Sequence, residues 1–326
     1  MTTADTTALA PVREARRSHP APPAARPRRG ASRRESRIGW AFALPFTALF
    51  ALSMIAPIIA SLWNSLFRRQ LSMGGLGGTE TVFSGLANYV DVLTSDQFWG
   101  GIVNVLEYGA IKIPLVQGLA LVLALLLDSL AARGVRFFRL TAFLPYAIPG
   151  VVAALVWGYL YSPTLSPFAD LLQSVGLPAD LFLEGGLLNL SMANMTAWTF
   201  IGYNMIIFMA TLKSIPAELY DAARIDGASE WQIVLRIKLP MLKSAALMTV
   251  LMSIVGTIQW FNEPTVLRTM TPAIDTAYTP MMMAYSQAFD QNDMGGAAAT
   301  SVIMAIIAGL LAGVYALVQT RIGRAR

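Results

Sequence analysis

Lys213 to Lys243 reads K-S-I-P-A-E-L-Y-D-A-A-R-I-D-G-A-S-E-W-Q-I-V-L-R-I-K-L-P-M-L-K, and nine of these 31 residues are charged. The runs on either side, Gly185–Leu212 and Ser244–Asn262, carry no charge. About 20 apolar residues cross a bilayer as a helix, so this stretch is a polar loop hung between two membrane spans. Pro216 suits the first turn of a helix, where its missing N–H costs nothing. Glu218 follows where the helix dipole favours an anion. Leu219, Ala222 and Ala223 make one small apolar face, and Gly227 supplies a left-handed C-terminal cap. Ser229 to Gln232 forms a capping box that opens a second short helix through Leu235, and Pro240 introduces the next membrane helix. The expectation is two short helices joined at Asp226-Gly227. Their acidic residues Glu218, Asp221, Asp226 and Glu230 suit arginines on a docking partner. The alternative is an amphipathic loop lying on its own bundle or on lipid.

The rest of the chain is apolar to match. Of 326 residues 55% are hydrophobic and 13% charged, about half the charge of a soluble domain. With no cysteine, and one histidine in the N-terminal tail (His19), thiolate and histidine chemistry are excluded from a folded core and no metal site is expected. Uncharged runs span Ile38–Phe67, Ile113–Leu127, Leu140–Ala169, Gly185–Leu212, Ser244–Asn262 and Met294–Thr320. They predict six transmembrane helices, near 38–64, 101–127, 138–162, 189–212, 244–263 and 295–320. The second crosses Glu107 and Lys112. Run length and the lack of strict alternation point to an all-α polytopic membrane protein, not a barrel.

Charge sets the orientation. The segments before the first helix, between the second and third, between the fourth and fifth, and after the sixth hold 20 of the 24 Lys and Arg. Positive residues stay inside, so both termini and the Lys213–Lys243 loop are expected in the cytoplasm. The net charge of +5 then reflects membrane topology, and no nucleic-acid partner is implied. Residues 1–37, rich in Pro, Ala and Arg, are expected to be a disordered basic cytoplasmic tail that touches anionic lipid, or else a regulatory arm. Residues 38–100 would hold the first span and an extracytoplasmic loop, and 101–322 the main transmembrane domain.

Ala217–Pro240 closely resembles the EAA loop of binding-protein-dependent ABC importer permeases. Asp221-Ala222-Ala223 stands for E-A-A, Gly227 is the motif glycine, and Ile237-x-Leu239-Pro240 closes the motif. Asp226-Gly227-Ala228 has the form typical of the carbohydrate-importing branch. Asp221 in place of Glu and Val234 in place of a usual aromatic depart from the pattern. Phe83-x-Gly85-Leu86-x-Asn88-Tyr89, Phe143-Leu144-Pro145-Tyr146-x-Ile148-Pro149 with Trp157, Trp198 with Gly202-Tyr203-Asn204, Ala288-Phe289 and Gly295-Gly296-Ala297 resemble further segments of these sugar permeases, in the right order. The resemblance covers about Trp40 to Ile322. It implies a six-helix, type I (MetI-like) permease fold in the inner (plasma) membrane and import of sugars or related polyols. It also implies a second, distinct permease chain, a peripheral ABC ATPase dimer and an extracytoplasmic solute-binding protein. Glu218, Asp221, Ala222, Ala223, Arg224, Asp226, Gly227 and Ala228 would dock the ATPase.

No G-x-x-x-x-G-K-[ST] phosphate loop surrounds any lysine, so ATP belongs on the partner ATPase; no cofactor and no enzymatic activity are expected here. Gln259-Trp260-Phe261-Asn262-Glu263, with Tyr203 and Asn204, combine aromatic faces with amides and a carboxylate, the chemistry of a sugar path. The alternative for Trp260 and Phe261 is an interfacial aromatic belt. Glu107 and Lys112 are costly in a membrane. Five residues apart on a helix they sit about 140° from each other, which does not favour an ion pair. A rival reading makes them the coupling charges of an ion- or proton-driven carrier. Ala305, Gly309 and Gly313 form a small-residue packing stripe, and Gly74–Gly78 a flexible turn.

Overall fold

A computed structural model describes residues 33–71, 79–129, 134–184 and 187–324. The tail through residue 32 and the Gly74–Gly78 turn lie outside the described residues. Two units separate along the chain, Met1–Ile55 and Ala56–Arg326. The first contributes α1 (Arg33–Phe50), which runs through Pro45, and a π-helical stretch, Ala51–Ile55. Helix therefore begins at Arg33, inside the stretch expected to be disordered. Arginine and glutamate are good helix formers, and the apolar run behind them supplies the helix they extend.

The second unit opens with α2 (Ala56–Asn64) and a hairpin of β1 (Phe67–Leu71) and β2 (Thr79–Phe83), antiparallel with Phe67 opposite Phe83. That hairpin is the only sheet among the described residues. Next comes α3 (Ala87–Leu93). Asn88, at its start, donates through its amide to the carbonyls of Ser65 and Phe67, both at 2.8 Å, and accepts from Arg68; Arg68 also pairs with Asp91. Tyr89 bonds Ser65 at 2.6 Å. The polar residues of the Phe83–Tyr89 motif thus tie the hairpin down.

The 33-residue α4 (Asp96–Asp128) starts earlier than the apolar run suggests, because Ser95 caps it by accepting from the Phe98 N–H. Lys112 consequently lies at its centre. The expected third span is broken into α5 (Val135–Phe143), a 3-10 turn (Leu144–Ala147) and α6 (Gly150–Tyr161), bent by 99°. Pro149 explains the break: it lacks an N–H and pushes the preceding residue out of the helical region, so Ile148 is extended at φ −82°, ψ 129°, whereas Leu144 before Pro145 stays helical. Among the described residues, five helices are long and apolar enough to cross a membrane, six if the bent pair counts as one span.

After α7 (Ala169–Ser174), α8 (Leu188–Lys213) packs along α4. Against α5 it comes so close that a β-carbon on Gly202 would overlap the Ala142 carbonyl. The loop helices α9 (Ala217–Ile225) and α10 (Glu230–Ile233) follow. The second short helix does not stop at Leu235. It continues through a π-helical stretch (Val234–Lys238) into α11 (Leu239–Ile258), and Pro240 sits in the tolerant first positions of that helix. α11 ends earlier than expected, before α12 (Asn262–Leu267), α13 (Pro280–Phe289) and α14 (Met294–Arg324). In the Ala305–Gly313 stripe, Gly309 and Gly313 pack on none of the described residues and have open space where a side chain would go.

Candidate functional site

Two regions carry the predicted residues. The first is a cavity of about 200 Å³ bordered by Tyr203, Asn204, Gln259, Trp260, Asn262 and Glu263, all six residues expected along a sugar path, together with Lys112. Parts of four helices build it. On α4, Tyr108, Lys112 and Val116 recur every four residues; on α8, Thr196, Phe200, Tyr203 and Asn204 share one stripe; α11 adds Met252, Ser253 and Gly256, and the junction from Gln259 into the start of α12 at Asn262 and Glu263 supplies the rest. That junction leaves helical geometry at Phe261 (φ −145°). Irregular backbone at membrane depth is tolerated where it lines a cavity or is buried in protein. An adjoining cavity of about 300 Å³ shares Asn262 and Glu263 and reaches Tyr146, Ile148 and Gly150 at the break between α5 and α6.

Hydrogen bonds orient the lining. Thr196 donates its hydroxyl to Glu263 Oε1 at 2.8 Å, so the 2.6 Å bond between Tyr108 and Thr196 must be donated by Tyr108. Lys112 is 7% exposed and donates to Thr257 Oγ1 at 3.2 Å. Glu107 is exposed and accepts from Asn189; it does not meet Lys112. Trp260 is 3% exposed and stacks on Tyr108 with centroids 3.7 Å apart. It belongs to the interior, not to an aromatic belt. Phe261, half-buried, packs on Tyr285. Tyr203 stacks on Tyr146 at 4.7 Å, and the Asn204 amide donates to the Phe200 carbonyl. Tyr108 and Thr196 were not singled out from sequence. Their signal was the four-residue spacing with Lys112 and Phe200, which an apolar core face shares.

The second region is the polar loop Lys213–Lys243. Pro216 precedes α9 as its N-cap and not in its first turn. Gly227 adopts φ +80°; its N–H bonds the Arg224 carbonyl and the Ala228 N–H bonds that of Ala223. These two bonds close the helix as a Schellman motif. Ser229 and Gln232 form the reciprocal capping box. Arg224 reaches Asp221 at 3.3 Å and Glu230 at 3.0 Å, bracing α9 against α10. The hydrogen bond to Glu230, helped by the charge of both carboxylates, holds its guanidinium above the ordinary value. Asp221 and Glu230 are thus partly engaged within the loop. Glu218, Ala222 and Asp226 are exposed and Ala223 is partly so. Sequence reasoning missed Ile225 and Trp231, which are 85% and 69% exposed. Their signal was two large apolar side chains inside a charged loop.

Residues 118–324 match the family described as the inner membrane component of binding-protein-dependent transport systems. The chain belongs to that family. The match spans the polar loop, α8, α11 and α12. "Probable ABC transporter permease protein YurN" of Bacillus subtilis is 31% identical over 276 residues, 83% of this chain and 91% of that protein. The lactose transport system permease protein LacF of Rhizobium radiobacter is 30% identical over 231 residues, covering 69% and 74% respectively. The fold matches a crystallised bacterial alginate ABC transporter with a TM-score of 0.76 at 20% identity, over 89% of this chain and 96% of that one. The protein is therefore a multi-pass permease of an ABC importer and not an enzyme, and the carrier reading built on Glu107 and Lys112 falls away.

Proposed function

We propose that the chain forms one half of a pathway importing a sugar or related polyol. A second, distinct permease chain lines the other half. An extracytoplasmic solute-binding protein delivers the solute, and a peripheral ABC ATPase dimer, which holds the ATP, docks on α9. Both termini face the cytoplasm with the loop. The relatives' names support the solute class, and so does the cavity. It carries one charge of each sign, Lys112 and Glu263, beside three amides and two phenols, a lining suited to a neutral, hydroxyl-rich ligand. At about 200 Å³ it is smaller than the ~300–1,000 Å³ of drug-sized sites, which suits half of a shared site.

The observation that carries the docking role is the braced, solvent-facing elbow at Asp226-Gly227. Its small face at Ala222 lets a cleft close around α9, and Ile225 and Trp231 serve as apolar anchors, tryptophan being prominent among interface hot spots. Closure of the ATPase pair on ATP draws the two permease loops together and turns the pathway outward; hydrolysis resets it. The chain has no native cysteine, so Ala222→Cys gives a unique handle. Crosslinking in native membranes should capture the ATPase, and a failure to capture it would overturn the docking role. Titration of the cognate binding protein with sugars and polyols tests the solute class, and binding only to amino acids or peptides would refute it.

A further inference from the structure

Where the loop meets the membrane domain, three elements converge on one charge pair. Lys238, last residue of the π-helical stretch, donates to Asp128 Oδ2 at 2.7 Å. Asp128 is the final residue of α4. Their side chains are 10% and 16% exposed, so the pair is largely withdrawn from water. Tyr220 of α9 covers it, with the Lys238 ammonium 5.3 Å from the ring centre. Burial and the Asp128 carboxylate raise the Tyr220 hydroxyl above its ordinary value. The other ion pairs of the loop, Arg224 with Asp221 and with Glu230, stay within it. The Asp128–Lys238 pair leaves the loop for α4, and α4 carries Tyr108 and Lys112 into the cavity.

We propose that Asp128 and Lys238, roofed by Tyr220, form the joint through which displacement of the cytoplasmic helices reaches α4 and hence the cavity. The loop is already continuous with α11 through the π-helical stretch, so α11 moves with it by covalent connection. α4 has no such covalent connection; apolar packing on α8 and α11 can slip, and this pair pins its end directly to the loop. A withdrawn ion pair makes a stiff link, because separating it leaves an uncompensated charge in poorly hydrated surroundings, and so the two ends move together. Helical rise places Lys112 about 24 Å from Asp128 along α4, a distance a rigid helix spans without loss of register. The inference rests on the docking role proposed above.

The test uses the assembled transporter with its ATPase and binding protein, and MgATP with vanadate as the probe. Val116→Cys places a thiol on α4 at the cavity. Its maleimide reactivity should differ by about fivefold or more between nucleotide-free and vanadate-trapped complexes, a coupling of ordinary allosteric size. Asp128→Asn and Lys238→Gln should each abolish that difference while ATP hydrolysis and Ala222→Cys crosslinking to the ATPase persist. Lys238→Arg, and the exchanged pair Asp128→Lys with Lys238→Asp, should restore it. A nucleotide response that survives Asp128→Asn, or one absent from Val116→Cys alone, overturns the joint. Loss of Ala222→Cys crosslinking in the otherwise unaltered chain would instead overturn docking. Should the single variants fail to assemble, the exchanged pair decides: a restored response supports the joint, and a lost response or failed assembly refutes it.

Discussion

The polar elbow and the cavity among the helices hold the candidate site residues, and they are built by opposite means. The elbow is assembled from bonds between residues at most six apart: the Schellman closure at Gly227, the Ser229–Gln232 box, and Arg224 between Asp221 and Glu230. It leaves Ile225 and Trp231 uncovered. The cavity joins residues far apart in the chain, with Tyr108 stacked on Trp260 and Thr196 bonded to Glu263. A surface made locally can be handed from one protein to another as a module. A site made by distant helices exists only when all of them are in place, and it changes whenever one of them moves.

That contrast sets the expected hierarchy of substitutions. Gly227→Val should have the largest effect. A β-branched residue forced to φ +80° bears about 1–2 kcal/mol of backbone strain or more and reorients α10. Binding-protein-stimulated ATP hydrolysis should fall to background while membrane insertion, read by quantitative immunoblot, stays normal; normal stimulation would show that the elbow's shape is dispensable. Gly202→Ala attacks the frame of the cavity, because the new methyl meets backbone at Ala142 and α8 must shift away from α5. Overpacking of this kind costs about 1–3 kcal/mol, seen as a lower unfolding temperature in detergent. An unchanged temperature would mean that the two helices separate freely.

Smaller effects should divide the two regions more sharply. Glu263→Gln keeps shape and removes the acceptor charge that orders Thr196 and Tyr108. Uptake of the sugar held by the binding protein should drop about tenfold, the loss of roughly one charged hydrogen bond, with ATPase affinity unaltered. Trp231→Ala should do the reverse, weakening ATPase association by about tenfold in a pull-down titration, as for a modest hot spot, and leaving the cavity untouched. Arg224→Gln should matter least, less than about twofold in stimulated hydrolysis, since exposed ion pairs contribute little. A large effect there would make the guanidinium a direct contact to the ATPase.

The legibility of each region follows from the same difference. Caps, boxes and glycine closures are written in five or six consecutive residues, and the structure realises the elbow nearly as spelled. Its errors lie at the seams, where Pro216 stands one place earlier and the second helix runs on into α11. Along the spans, apolar run length located the helices but not their interruptions. Pro145 and Pro149 were visible, yet whether prolines kink a span or turn it through 99° depends on what packs on either side. For the cavity, side-chain chemistry nominated Tyr203, Asn204, Gln259, Trp260, Asn262 and Glu263, and these do border one space. Tyr108, Thr196 and the pairing of Asp128 with Lys238 were invisible, because nothing local distinguishes them from core residues or loop charges.

By itself, then, the sequence determined that the chain lives in a membrane, where its helices run, and that a capped polar elbow stands out from them. These rest on solvation over a window of about 20 residues and on hydrogen bonds within a turn or two of helix. Only tertiary structure decided which polar side chains share a cavity, that Trp260 spends its face on Tyr108, and that α4 is tied to the loop through Asp128. Such contacts join residues 67 to 152 positions apart, and their selection depends on how whole helices pack, a choice that no short stretch of chain contains.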